Sequence, residues 1–185
     1  LRENVPLASL TTFQVGGPAR YYTLAGGALE LAEAFEYAEK NKIPFFVLGG
    51  GSNVLFSDAG FPGIIIHILG GSVLVTDQKI TAGAGTPLFD VVWAAKRASL
   101  QGIEKMAGIP GSFGGAVRGN AGAFGTEIGS VVTSVKTLDR FSGMVREYSR
   151  EECQFSYRNS FFKKNPNLVV LSAEIKLAPG NERDL

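Results

Sequence analysis

The sequence predicts an α+β fold in two lobes, residues 1–68 and 69–185. Two patterns predict it: apolar residues recur at helical spacing in two segments, and short runs of strand-forming residues are bounded by turns. In the first lobe, a helix precedes buried strands, as in a small α/β unit. In the second, alternation along the strands favours a mainly antiparallel α+β unit.

The first lobe contains one predicted helix, over residues 28–41. Its apolar residues fall at i, i+4 and i+7 among glutamates, and they are Leu31, Phe35 and Ala38. This spacing gives a helix one apolar face for the core. Two apolar runs that follow, 45–48 and 64–68, are short and bounded by turns, so we expect buried strands there.

The second lobe begins with a predicted hairpin of strands 73–76 and 79–82. A single helix is expected at about 87–100, with Thr86 as N-cap and Pro87 in the first helical position. Further strands are expected at 131–137, 144–148 and 168–177.

Charge and composition exclude several classes of protein. The formal net charge is +1, which argues against nucleic acid or an anionic membrane as the main partner. The single cysteine, Cys153, excludes an internal disulfide, and with the single histidine, His67, it cannot form a usual zinc site, so no metal is expected. Neither a membrane-spanning run nor a signal-peptide pattern is visible, so we expect a cytoplasmic location.

Among the 24 glycines, the run Gly49–Gly51 directly follows a predicted strand. Consecutive glycines let successive N–H groups point the same way and bind an anion, and Ser52 and Asn53 can add hydrogen bonds. Neither a P-loop nor a Rossmann fingerprint fits, because the lysine of the first and the third glycine of the second are missing. Phosphate binding and a tight structural turn are both compatible with this pattern.

A second glycine-rich stretch spans residues 107–125. Pro110 and Gly111 indicate a turn, and we expect Gly114 and Gly115 to expose backbone donors. Two separate glycine clusters with few chemically active side chains favour a large, flat, phosphate-bearing cofactor that carries the chemistry itself.

Six motifs in order resemble the UDP-N-acetylenolpyruvoylglucosamine reductase family. They cover most of the chain, and they lie at residues 12–19, 48–55, 82–86, 107–117, 120–125 and 155–163. The resemblance implies an FAD-binding fold of the vanillyl-alcohol-oxidase type that holds FAD without a covalent bond. The cofactor-binding residues that it implies are Gly49, Gly50, Gly51, Ser52, Asn53, Val54, Gly108, Ile109, Pro110, Gly111, Gly114, Gly115, Ala116, Asn120, Gly122 and Ala123.

The resemblance also implies a reaction of peptidoglycan synthesis. In this family NADPH reduces FAD, and the reduced flavin converts UDP-N-acetylenolpyruvoylglucosamine to UDP-N-acetylmuramate. Arg158 and Tyr157 match the family's substrate-facing pair, in which the guanidinium stabilises charge that develops at the enolpyruvyl carboxylate. The family's C-terminal substrate domain, which carries its proton donor, lies beyond this sequence, and Ser160 is not assigned that role. We therefore expect FAD binding but poor turnover.

Two alternatives remain at this point. One is a different flavin oxidoreductase of the same fold, of the kind that tethers its flavin through a histidine or a cysteine. Neither His67, inside a strand, nor Cys153, outside the glycine clusters, is well placed for such a bond. The other is a non-catalytic nucleotide-binding module.

Overall fold

The computed structural model describes residues 1–180. The chain divides into two compact units, with the boundary between Leu69 and Gly70. Each unit has its own sheet, and each is described separately below.

A four-stranded mixed sheet and one helix form the first unit. The elements are β1 (Arg2–Pro6), β2 (Pro18–Ala25), α1 (Ala28–Lys40), β3 (Phe45–Leu48) and β4 (Phe61–Ile68). The strand order is β1-β2-β4-β3; β1 and β2 are antiparallel, whereas β4 runs parallel to both of its neighbours. Parallel neighbours on both sides bury β4, which explains its unbroken apolar run.

The two faces of this sheet carry different contacts. On one face Phe45 packs edge-on against Phe35 of α1, with ring centroids 5.1 Å apart. The opposite face belongs to a second cluster that contains Tyr22, Leu48 and Ile65. Because side chains alternate along a strand, this second face is also the one that the side chain of residue 67 meets.

A five-stranded antiparallel sheet dominates the second unit, in the order β11-β10-β12-β6-β5. The helices and strands of the second unit, within residues 70–180, are β5 (Val73–Thr76), β6 (Lys79–Gly83), α2 (Leu88–Arg97), β7 (Leu100–Gln101), α3 (Phe113–Gly119), β8 (Gly122–Ala123), β9 (Thr126–Glu127), β10 (Val132–Asp139), β11 (Val145–Ser149), α4 (Phe161–Lys164), β12 (Leu168–Lys176) and β13 (Ala178–Pro179). The α+β prediction is therefore confirmed, with a small mixed sheet and a larger antiparallel one.

Two details of the second unit correct the sequence prediction. Helices α3 and α4 accompany α2, so the expectation of a single helix is wrong. Both are short, and a segment of four to seven residues shows no helical periodicity. Pro87 rather than Thr86 is the N-cap of α2, and the buried Oγ1 of Thr86 has no hydrogen-bond partner within the described chain.

Candidate functional site

The turn after β3 is built around a glycine that no other residue can replace without strain. Gly51 has φ +67°, and an added Cβ would lie 2.0 Å from the carbonyl oxygen of Leu10. Its own carbonyl accepts a hydrogen bond from the Thr12 N–H, at 3.0 Å. Preceding it, Gly50 is exposed, as is Asn53 after it, while Val54 is half-buried. Backbone packing therefore anchors one side of the turn and leaves the other towards solvent.

His67 lies beside this turn, and the sequence did not connect the two. In the parallel pairing of β3 and β4 it is opposite Leu48, the residue before Gly49. Its Nδ1 is 2.8 Å from the phenol oxygen of Tyr22, and the ring also hydrogen-bonds to the backbone of Gly49. Burial lowers the pKa of His67, and the bond to Gly49 opposes that shift. His67 is therefore a strand residue that packs and hydrogen-bonds within the first unit.

The segment before α3 is also held by its own backbone. Ile109 donates its N–H to the carbonyl of Met106, and Gly111, with φ +121°, accepts from the Leu88 N–H. Gly108 and Pro110 are exposed, and a Cβ on Gly108 would meet no described atom within 4 Å. This segment presents a surface with little side-chain bulk.

The first turn of α3 differs from the expectation. The N–H of Gly114 donates to the carbonyl of Ala84, at 2.9 Å, and that of Gly115 donates to the Ser112 hydroxyl, at 3.4 Å. The prediction that these two glycines expose backbone donors is therefore wrong, because helix capping and packing use both groups. A glycine is needed at position 114 because α3 approaches Ala84 closely there, and an added Cβ would lie 2.5 Å from the Cβ of Ala84. Ala116 is buried against the core.

Asn120 ends α3 in the left-handed conformation, with φ +44°. Its side chain is buried and joins three segments. The amide nitrogen donates to Oε2 of Glu127 and to the carbonyl of Ser156, both at 2.9 Å, and Oδ1 accepts from the Gly129 N–H, also at 2.9 Å. These bonds make the Asn120 side chain an organiser of the loops around it.

Tyr157 and Arg158 occupy a tight turn closed by mutual backbone bonds between Ser156 and Asn159. Arg158 has φ +51°, and its Nη2 donates to the carbonyl of Gly122, at 2.8 Å. Gly122 and Ala123 form β8, so the structure brings the predicted catalytic arginine onto the strand of the predicted flavin-lining stretch. Tyr157 is 82% exposed.

Ser160 has a structural role. It is fully buried, its Oγ accepts from the Lys163 N–H as the N-cap of α4, and the same hydroxyl donates to the carbonyl of Arg118, at 2.7 Å. Both bonds serve the fold, in keeping with the expectation that Ser160 is not the proton donor.

Each glycine segment, taken by itself, has features that suit one part of an FAD molecule. In the first, Gly50 is exposed and the neighbouring Gly51 carbonyl is already bonded to the Thr12 N–H, an arrangement that suits a pyrophosphate. The second offers backbone at Gly108 and Gly122 with little side-chain bulk against a flat ring system. Among residues 1–180 there is no group of three or more His, Cys, Asp or Glu arranged to hold a metal ion. No helix in that range has the length and apolar character to cross a membrane.

Comparison with known proteins identifies the family. A family model described as FAD binding domain matches residues 19–149. The chain is 39% identical to the UDP-N-acetylenolpyruvoylglucosamine reductase of Lactobacillus helveticus, covering 100% of this chain and 62% of that protein. It is also 40% identical to a Synechococcus protein of the same name, covering 98% of this chain and 58% of that protein. The crystal structure of UDP-N-acetylenolpyruvylglucosamine reductase from Thermus caldophilus superposes with a TM-score of 0.82 at 35% identity, covering 98% of this chain and 64% of that one.

The chain therefore belongs to the FAD-binding domain family. Within that class it is a homologue of the UDP-N-acetylenolpyruvoylglucosamine reductases and corresponds to their FAD-binding part. It spans between 58% and 64% of the length of the three proteins compared. The resemblance drawn from the six motifs is confirmed.

Proposed function

We propose that this chain binds FAD without a covalent bond and is the cofactor-binding portion of an NADPH-dependent reductase. The substrate would be UDP-N-acetylenolpyruvoylglucosamine and the product UDP-N-acetylmuramate, a step of peptidoglycan synthesis. The hydrogen bond from Arg158 to Gly122 carries the proposal, because it joins the residue proposed to act on the substrate to the strand proposed to line the flavin.

Arg158 suits the recognition of a carboxylate that gains charge. Addition of hydride to an enolpyruvyl double bond moves electron density towards the carboxylate, and a fixed guanidinium beside it stabilises that charge. A guanidinium carries five N–H donors, so one bond to Gly122 fixes its position and leaves donors for a carboxylate. Lys163 holds the carbonyl of Arg158 through its Nζ, at 2.8 Å, which further restrains the turn. The exposed phenol of Tyr157 would orient the same carboxylate.

FAD, when bound, would supply the hydride chemistry. The glycine segments would hold its phosphates and leave its ring accessible. A covalent flavin is disfavoured at both candidate residues: the ring of His67 is buried and hydrogen-bonded to Tyr22 and Gly49, and burial, with the nearby Glu152 and Glu151, raises the pKa of the Cys153 thiol to about 12. A thiol with such a pKa is a poor nucleophile near neutral pH.

The test is the visible spectrum of the chain after incubation with FAD, before and after acid denaturation. We expect flavin bands that are released when the protein unfolds. Gly51→Ala should abolish them, because its Cβ meets the Leu10 carbonyl, whereas Gly143→Ala should keep them. The two glycines have φ +67° and φ +68°, but the space around Gly143 is open in the described structure. A wild-type chain that stays colourless would refute FAD binding, and flavin retained after denaturation would favour a tethered cofactor.

A further inference from the structure

A side chain outside the turn, that of His67, hydrogen-bonds to the backbone of Gly49, where the Gly49–Gly50 peptide begins. In the parallel register of β3 and β4, His67 lies opposite Leu48, the residue before Gly49. A ring N–H that donates to a carbonyl favours the protonated imidazole, and this bond does raise the pKa of His67, so the Gly49 carbonyl is the acceptor. Since Nδ1 faces the Tyr22 phenol at 2.8 Å, Nε2 is the nitrogen that donates to Gly49. The neutral ring then accepts the Tyr22 proton on Nδ1.

A planar peptide gives this bond a consequence for ligand binding. The C=O of one residue and the N–H of the next point in opposite directions across the peptide plane. With the Gly49 carbonyl held towards His67, the N–H of Gly50 points away from β4, on the exposed side of the turn. A reversed peptide would place a carbonyl oxygen there instead and repel an anion.

Two adjacent glycines cannot enforce this direction themselves. Glycine adopts positive and negative φ with similar ease, so a Gly–Gly peptide reverses at little steric cost. The downstream end of the turn is already anchored, because the Gly51 carbonyl accepts from the Thr12 N–H. At the upstream end, the Tyr22–His67 pair supplies the anchor.

We propose that His67, held by Tyr22, is a positioning residue that orients the Gly50 N–H towards a phosphate of the bound dinucleotide. This inference rests on the proposed binding of FAD and assigns the strand histidine a part in it. His67 is not proposed to touch the cofactor. Its effect passes through the Gly49 carbonyl, so it should act on phosphate recognition and leave recognition of the flavin ring unchanged.

The experiment compares the affinity of the chain for FAD and for riboflavin, which lacks phosphates, by quenching of flavin fluorescence. His67→Leu should weaken FAD binding about ten-fold, the loss expected when a buried hydrogen bond is removed, and should leave riboflavin binding unchanged. His67→Gln places an amide N–H near the position of Nε2 and should restore most of the FAD affinity. Tyr22→Phe removes the bond to Nδ1 and should give a smaller loss of about three-fold.

Ile66→Val is the matched control, because Ile66 is a buried neighbour of His67 on the same strand and faces the other side of the sheet. It should lower the melting temperature while the ratio of the two affinities stays at the wild-type value. Equal losses for FAD and riboflavin in His67→Leu, or no loss of FAD in both His67→Leu and Tyr22→Phe, would overturn the inference. A wild-type chain that binds riboflavin and FAD equally would also overturn it, and one that binds neither would refute the proposed function itself.

Discussion

The guanidinium of Arg158 donates a hydrogen bond to the carbonyl oxygen of Gly122, at 2.8 Å and across 36 residues of sequence. A tight turn holds the arginine backbone, and a two-residue strand holds the carbonyl. The backbone of each partner is therefore held in place, and the bond directs an exposed guanidinium to one defined carbonyl.

Replacing Arg158 should impair turnover and leave cofactor binding intact. In a fusion of residues 1–180 to the remainder of the Lactobacillus helveticus relative, Arg158→Ala should lower kcat/KM about 100-fold, as loss of one charge-stabilising donor does. Arg158→Lys should give an intermediate kcat/KM, because an ammonium lacks the planar fork with which a guanidinium can bind the Gly122 carbonyl and a carboxylate together. Arg150→Lys is the control, since Arg150 also bonds a backbone carbonyl, that of Gly129, at 2.9 Å. Equal losses at both positions would refute a specific role for Arg158.

Asn120 should contribute more to stability than an ordinary asparagine. Asn120→Ala removes three hydrogen bonds and leaves the buried N–H of Gly129 unsatisfied, so we expect a loss of about 2 kcal/mol in the free energy of unfolding. Urea denaturation measures this loss. Asn41→Ala removes a single exposed bond to the Tyr37 carbonyl and should cost less than about 0.5 kcal/mol. A similar cost for the two variants would contradict the organising role of Asn120.

Two glycines of α3 should respond in opposite directions to alanine. Gly114→Ala places a Cβ 2.5 Å from that of Ala84 and 2.9 Å from its Cα, so we expect a destabilisation of about 1–3 kcal/mol. Gly119→Ala meets no described atom within 4 Å and should stabilise the protein by about 0.5 kcal/mol through loss of unfolded-state entropy. Thermal unfolding of both variants tests the pair. Stabilisation by Gly114→Ala would contradict this close packing of α3 against Ala84.

The hydroxyl of Thr86 should be dispensable for stability. Its buried Oγ1 has no partner within the described chain, so Thr86→Val removes an unsatisfied polar atom and should be neutral or stabilise by up to about 1 kcal/mol. Thr133→Val is the contrast, because that hydroxyl donates to Oε1 of Glu174, at 2.7 Å, and its loss should cost about 1 kcal/mol. Chemical denaturation distinguishes the two. A clear loss of stability in Thr86→Val would mean that the hydroxyl has a partner after all.

Sequence patterns predicted the sheets better than the short helices. Alternation along residues 168–177 and the turn at Asp77 need only local information, and β12 and the β5–β6 hairpin formed as expected. Helix α3 contains three glycines, and it forms because the Ala84 carbonyl accepts the N–H of Gly114 and the Ser112 hydroxyl accepts that of Gly115. Such tertiary contacts override propensity and leave no periodic signal.

The features of the candidate site also divide into those that the sequence predicts and those that depend on tertiary contacts. Motifs predict Gly49–Gly51 and Arg158 as site residues from residue type, because a close backbone approach and a charged side chain each require one kind of residue. The role of His67 depends on its strand register opposite Leu48, and the contact of Arg158 depends on the path of β8. Neither can be read from residue spacing, and the assignment of individual cofactor-binding residues stays a prediction.

The pH dependence of stability should carry a contribution from His67. Its pKa in the folded chain is lowered by burial, so between that value and the unfolded value of about 6.5 the unfolded chain binds more protons. Stability should therefore be fully present above about pH 6.5 and decrease as the pH falls through that window. The Tyr22 phenol faces the ring at 2.8 Å, and burial raises the pKa of that phenol, so it stays protonated throughout this window. Melting temperatures from pH 8 to 5 should show a smaller decrease for His67→Gln than for wild type, and parallel curves would show that His67 does not titrate differently on folding.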